Sequence, residues 1–122
     1  MNPSYPNLST NCIFCKILAG ESPASILYRD DQVTAFRDSH PIAPVHFLVI
    51  PNRHIATLEE VQSQEEPLLG HMALVARQIA TQEGISQSGY RLVINTGPHA
   101  GQSVFHLHLH VIGGRPLPFK FE

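Results

Sequence analysis

Residues 105–112 read FHLHLHVI, and no other stretch restricts the fold as tightly. Apolar and imidazole side chains alternate strictly, the period of a strand and not of a helix. On a strand over 104–112, His106, His108 and His110 share one face. Phe105, Leu107, Leu109 and Val111 share the other, the face expected to be buried. Neighbouring imidazoles on one face then stand roughly 7 Å apart at Cβ. Three readings are open. A solvent-facing polar stripe is one, but Lys, Thr or Glu would serve it as well. A metal site is the second, since strand histidines at i, i+2 can chelate zinc or iron. A site built on all three needs a further ligand, and no Asp or Glu lies between Gly84 and Glu122. The third is nucleophilic catalysis, because neutral imidazole attacks phosphorus and leaves again once phosphorylated. Adjacent imidazoles resist being charged together, which favours a neutral nucleophile beside a protonated partner.

The rest of the chain narrows the setting. With 122 residues, 43% of them apolar and 15% charged, it is expected to form one domain with a real core. The net charge is −2 and the eight Lys and Arg are scattered, so no basic footprint for nucleic acid or an acidic membrane is present. The opening MNPSYPNLSTN lacks a basic and an apolar leader region, and no apolar run reaches membrane-spanning length. A cytoplasmic location is the expectation. Residues 1–11 are read as a loose tail, 12–122 as the domain, and 113–122 as its C-terminal tail.

Apolar residues at 13, 14, 17 and 18 predict a short helix over 12–19, closed by Gly20. Short extended runs follow at 25–28 and 33–38, then a Pro-bearing loop, then a β-branched run at 46–50 stopped by Pro51. Ser63-Gln-Glu-Glu66 has the form of a capping box for a long helix that ends at Gly84. Pro67 sits awkwardly beyond a first turn and moves the expected start a residue or two later. Leu68, Met72, Val75, Ala76 and Ile79 lie on one face of that helix. Strands at 90–94 and 104–112 complete an α+β fold: a five-stranded, mainly antiparallel sheet with one long and one short helix.

The loop before the histidines, NTGPHAG, suits phosphate. Gly97, Ala100 and Gly101 permit close backbone approach, and Gln102 and Ser103 add polar donors. Arg and Lys are absent from 92 to 114, so amides, hydroxyl and imidazole would have to hold an anion. By itself such a loop is also an ordinary hairpin connection.

Taken together, CIFCKI, AFRDSHPIAPVHFLVIPNRHI, LVINTGPHAG and QSVFHLHLHVIGGR resemble the histidine triad (HIT) superfamily over nearly the whole chain. The Gly113-Gly114-Arg115 ending is similar to the histidine triad nucleotide-binding branch; the Fhit-like branch usually continues with Pro-Arg. The resemblance implies hydrolysis of nucleoside 5′-phosphoramidates such as AMP linked through nitrogen. It implies His108 as the nucleophile forming a nucleotidyl-histidine, with His110 on the phosphate. Ser103 would face the leaving amine with Gln102 beside it, Asn95 and Gly101 the phosphate, and His46 would position the nucleophile. Asp38 would accept the ribose hydroxyls, and Phe14, Ile17 and Phe36 would enclose a purine. Ser39 and His40 depart from the family, which often has an apolar residue after the aspartate. His99 is read as surface, and His71 as surface or interface. The resemblance also implies a homodimer with a continuous ten-stranded sheet, joined through the long helix and fourth strand.

Cys12-x-x-Cys15 alone is half of a zinc site, and it lacks the βαβ context of a redox dithiol. A reduced, buried pair is the plain alternative. Relatives implied by the resemblance complete a structural zinc with the positions of His54 and His106. Two rival functions stand beside the phosphoramidase: a dinucleoside polyphosphate hydrolase with the same nucleophile, and a nucleotide-binding scaffold with little turnover. A metalloenzyme using the triad as ligands is a third.

Overall fold

The computed structural model describes residues 8, 9 and 11–119. The tail expected over 1–11 and the last residues of the one expected over 113–122 therefore fall largely outside the described residues. Chain order is α1 (Ile13–Leu18), β1 (Ile26–Arg29), β2 (Val33–Arg37), β3 (Val45–Pro51), α2 (Glu66–Gln82), β4 (Tyr90–Val93) and β5 (Leu109–Gly113), with 3-10 turns at Leu58–Glu60, Ser63–Glu65 and Pro98–Ala100. The five strands form one antiparallel sheet in the order β1-β2-β3-β5-β4.

Alternation along the strands builds two cores. Val33 and Ala35 of β2, Phe47 and Val49 of β3, and Leu109 and Val111 of β5 pack with Met72, Val75, Ala76 and Ile79 of α2. On the opposite face Phe36, Leu48 and Ile50 pack with Phe14, Ile17 and Leu18 of α1. Burial of the α2 stripe, at about 1.5–3 kcal/mol for each large side chain, is what holds this helix to the sheet. The short α1 instead caps the other face only partly, and leaves a cleft beside it.

Several boundaries differ from the sequence expectation. The capping box is shifted by one residue: Gln62 and Glu65 satisfy one another's backbone, Gln62 N–H donating to Glu65 Oε1 at 2.8 Å. The helix starts at Glu66, so Pro67 falls in the first turn, where its missing N–H costs nothing. Gly84 closes it with φ of 77°. β3 ends at Pro51, as the sequence leads one to expect, with the proline itself as the last residue, paired with Val33. Pairing of β3 with β5 covers only residues 45–49, so no ladder donor is lost at the proline.

The largest correction concerns 104–112. Ladder pairing begins only at Leu109, and the Leu107 amide donates to Ile55 O at 2.7 Å instead. Alternation survives the break: Leu107 is buried in the α2 core, while His106 and His108 point to the α1 side. Phe105 does not follow it and is 44% exposed. Gly113, expected in the C-terminal tail, belongs to β5 and pairs with both Val45 and Tyr90. A Cβ there would lie 3.0 Å from Ile85 Cδ1 and 3.2 Å from Gly89 O, so a side chain fits only if these neighbours shift by a few tenths of an ångström.

Candidate active site and adjoining metal-ligand cluster

The open side of the α1 face is a cleft of about 740 Å³. Its apolar wall is Ile13, Phe14, Ile17, Phe36 and Leu48, and its polar wall includes Asp38, Asn95, Gly101, Ser103, His108 and His110. Phe14 stands edge-on to both Phe36 (centroids 5.3 Å) and His108 (5.1 Å), which joins the apolar end to the imidazoles.

The histidine tautomers follow from their backbone partners. A carbonyl oxygen only accepts, so His108 Nδ1 must donate to His106 O, at 2.6 Å. The neutral ring then has its bare lone pair on Nε2. His106 donates through Nε2 to Pro51 O at 3.0 Å, leaving its lone pair on Nδ1. The Ile42 amide donates to His46 Nδ1 at 3.2 Å, so the proton of His46 is on Nε2. That N–H lies 3.0 Å from His110 Nδ1, which accepts it, and His110 keeps its own proton on Nε2. Burial holds all four rings neutral. It pushes His110 down to about 4, assisted by the His108 and His46 rings. It likewise lowers His106 to about 4 and His108 and His46 below the usual imidazole range. The polar-stripe reading of the three histidines is thereby overturned: His106 is fully buried and His108 is 7% exposed.

Asp38 borders the cleft with Oδ1 accepting the His40 amide at 2.8 Å and Oδ2 3.3 Å from His46 Nε2. Asn95 donates to Ala100 O at 2.8 Å and so braces the loop it lines. Gly101 adopts the left-handed conformation (φ 79°) that turns this loop toward Ser103. Gln102 is not among the cleft-lining residues. Its amide is spent bracing the loop, accepting from Gly97 N–H and donating to Val104 O within it and to Ala56 O in the segment after β3. His46 also stands behind the cleft wall and reaches it only through His110 and Asp38. His99 is exposed on the loop, and His71 is tied to Asp30 at 2.6 Å, away from the cleft.

Leu48 and the 38–44 loop backbone are site elements that sequence reading passed over. Leu48 had a signal, since it lies two residues from His46 on the same strand face. Ile42 had none: its amide fixes the His46 tautomer, and its carbonyl is held by Arg115 Nη2 at 2.8 Å. Gly114, at φ 94°, makes the turn that brings Arg115 there.

The second cluster lies on the far side of His106. Cys15 Sγ is 3.2 Å from His54 Nδ1 and 3.5 Å from His106 Nδ1, and Cys12 Sγ is also 3.5 Å from His106 Nδ1. All four donor atoms lie within 4.8 Å of one another. A tetrahedron with metal–sulfur bonds of about 2.3 Å and metal–nitrogen bonds of about 2.0 Å has edges of roughly 3.3–3.8 Å. Both cysteines are free, and burial, with Cys12 adjacent, pushes the Cys15 thiol up to about 11. The donor set fits a metal that would take such thiols as thiolates.

Comparisons with known proteins agree with this fold. A family model described as HIT domain matches residues 19–117. The purine nucleoside phosphoramidase of Escherichia coli (strain K12) is 52% identical over 110 residues, covering 90% of this chain and 92% of that protein. The crystal structure of a HIT family hydrolase from Legionella pneumophila Philadelphia 1 superposes with a TM-score of 0.87 at 46% identity, over 89% of this chain and 97% of that one. A Zn-bound histidine triad family protein from Mycobacterium smegmatis does so with a TM-score of 0.75 at 34% identity, over 85% and 75% of the two chains. This chain belongs to the HIT domain family.

Proposed function

We propose that this chain is a hydrolase of purine nucleoside 5′-phosphoramidates, acting through a covalent nucleotidyl-histidine. The observation that carries the reading is the bare Nε2 of His108 on the wall of the cleft, its tautomer held by the bond from Nδ1 to His106 O. The 52% identical phosphoramidase supports the substrate class. In the first step the Nε2 lone pair forms a bond to the α-phosphorus, and the phosphorus–nitrogen bond to the leaving amine breaks. The departing electron pair takes a proton, with the Ser103 hydroxyl placed to deliver it. Water then attacks the same phosphorus and gives up a proton that restores the Ser103 hydroxyl, the His108–phosphorus bond breaks, and AMP or GMP leaves with the ring restored. The Nε2–H of His110 donates to a phosphate oxygen, where charge develops. Asp38 accepts the ribose hydroxyls, and Phe14, Ile17 and Phe36 enclose the base.

Cys12, Cys15, His54 and His106 would hold one zinc ion. Its contribution is structural, since four protein ligands close the tetrahedron and leave no position for water. These residues would then tie α1 to the carbonyl of His106 that orients the nucleophile. A homodimer belongs to the same reading. The edge strand β4 leaves Leu92 43% exposed, and Leu74 of α2 is 54% exposed. A cytoplasmic location suits the two free thiols.

The test is turnover of an adenosine 5′-phosphoramidate by the pure protein, with and without chelator, beside His108→Ala. Release of AMP by wild type, a trapped nucleotidyl-protein, and loss of about 10³-fold or more in the variant are expected. Wild-type rates in His108→Ala would remove the nucleophile. Metal content equal in wild type and Cys12→Ser would remove the zinc. Light scattering that finds a monomer at micromolar concentration would remove the dimer.

A further inference from the structure

Asp38 and His110 both line the cleft, and His46 behind them touches both. Its ring cannot turn to suit one or the other, because the Ile42 amide holds Nδ1. A single proton on Nε2 therefore faces two acceptors: His110 Nδ1 at 3.0 Å and Asp38 Oδ2 at 3.3 Å. A shared proton is a competition, and its outcome depends on what else occupies the carboxylate. Asp38 Oδ1 already accepts from the His40 amide. Hydroxyls donating to Asp38 would engage the lone pairs that now draw on His46. The Nε2–H then settles on His110 Nδ1. An imidazole that accepts more strongly at one nitrogen donates more strongly from the other, by the polarisation that runs along hydrogen-bonded chains. Because burial keeps both rings neutral, the row carries one proton per ring and transmits polarisation without net charge transfer.

We propose that His46 is a positioning residue that makes the outward donor of His110 depend on a cis-diol at Asp38. The site would thus select ribonucleotides over sugars lacking the 2′- and 3′-hydroxyls in the chemical step as well as in binding. The inference rests on the reading of Asp38 as ribose acceptor and His110 as phosphate donor. It adds a physical link between two contacts that are otherwise independent.

Adenosine and 2′,3′-dideoxyadenosine separate the link from the phosphate, since neither carries one. In intact protein labelled with ¹⁵N-histidine, saturating adenosine should move the His110 Nδ1 resonance, and dideoxyadenosine, bound at saturation, should not. The adenosine response should vanish in His46→Leu and return in His46→Gln, which restores an N–H near the Nε2 position. Equal responses to both nucleosides, or no response to bound adenosine, would overturn the link. Should His46→Leu fail to fold, the two nucleosides on wild type decide alone. A kinetic arm uses the 5′-phosphoramidates of both sugars. Wild-type kcat should fall about five-fold or more on loss of the hydroxyls, while His46→Leu shows one low kcat for both and a difference only in KM. Equal wild-type kcat for both sugars sinks the link and leaves the hydrolase intact. No turnover of either sugar sinks the hydrolase reading, and the responses to the two nucleosides then decide the link by themselves.

Discussion

His106 and His108 stand two residues apart, are both enclosed, and are both held neutral by burial, yet they present opposite nitrogens. The Pro51 carbonyl takes the Nε2 proton of His106 and leaves Nδ1 bare toward two sulfur atoms. The His106 carbonyl takes the Nδ1 proton of His108 and leaves Nε2 bare on the cleft wall. One carbonyl on each ring thus separates the arrangement proposed for a metal ligand from the one proposed for a nucleophile. Residue type supplies the chemistry that is available, and the backbone acceptor selects which nitrogen can use it. The same carbonyl joins the two clusters, because anything that moves His106 also moves the acceptor of His108.

The comparison breaks most sharply at the proposed nucleophile, His108. His108→Asn should reduce single-turnover rate by about 10³-fold or more while metal content, measured on the same sample, stays at the wild-type value. Loss of metal in that variant would mean the clusters are not separable. Next in size, Cys15→Ser should abolish metal binding and cost about 3 kcal/mol, seen as a fall of roughly 10 °C in thermal midpoint. Its kcat should fall less than about ten-fold, since the variant loosens His106 without touching His108 Nε2; a loss as large as that of His108→Asn would assign both clusters to one catalytic unit.

Acid should also distinguish regions. His110 ionises near 4 in the folded chain, against its ordinary value of 6.5. Between those values the unfolded chain binds the extra proton, so stability falls as pH drops from 6.5 toward 4, with an upper bound of about 3 kcal/mol for this ring. Asp30, on the far side of the sheet, responds lower. Its burial raises it, but bonds from Tyr28, the Val33 amide, His71 and the Gln32 amide prevail and hold it at about 2. Its stabilising share is present above 3.8 and is lost only as pH falls through about 2. Urea midpoints recorded from pH 7 to 3 should therefore decline chiefly between 6.5 and 4; a flat profile there contradicts the buried neutral imidazoles.

Smaller still is Gly114→Ala. A Cβ there meets Pro44 Cβ at 3.0 Å on a backbone with φ of 94°. A cost of about 1–2 kcal/mol is expected, with a raised KM because the strained loop carries Asp38 and Ile42. Wild-type KM would detach the Gly-Gly-Arg ending from the site. Smallest is His71→Ala, which removes the 2.6 Å bond to Asp30 between α2 and the β1–β2 turn. About 0.5–1 kcal/mol and unchanged turnover are expected, and lost activity would show coupling across the sheet.

The strict alternation over 105–111 and the helical stripe from Leu68 to Ile79 made the two faces of the sheet legible before any coordinates. Periodicity is a local property, and it survives even where the ladder does not. Element ends were less legible. The capping box slid from Ser63 to Gln62 because Glu65 and Glu66 are equally good partners by type, and only the path of the chain chooses between them. Pro51 ends β3 but still belongs to it, because a missing donor matters only if a neighbouring strand needs it. Gln102 reads as a phosphate donor, but the fold gives its amide to Gly97, Ala56 and Val104.

What the sequence determined by itself was the inventory: three imidazoles on one face, two thiols three apart, a carboxylate before a proline loop, and a glycine-rich turn ahead of the histidines. Each follows from residue type and spacing along a chain of known geometry. Tertiary structure alone decided which donor meets which acceptor. The Pro51 carbonyl, the Ile42 amide and the Arg115 clamp on Ile42 are contacts across 55, 4 and 73 residues, and all three turn on main-chain groups. Backbone groups leave no mark in a sequence, and here they set the tautomers on which the proposed chemistry depends.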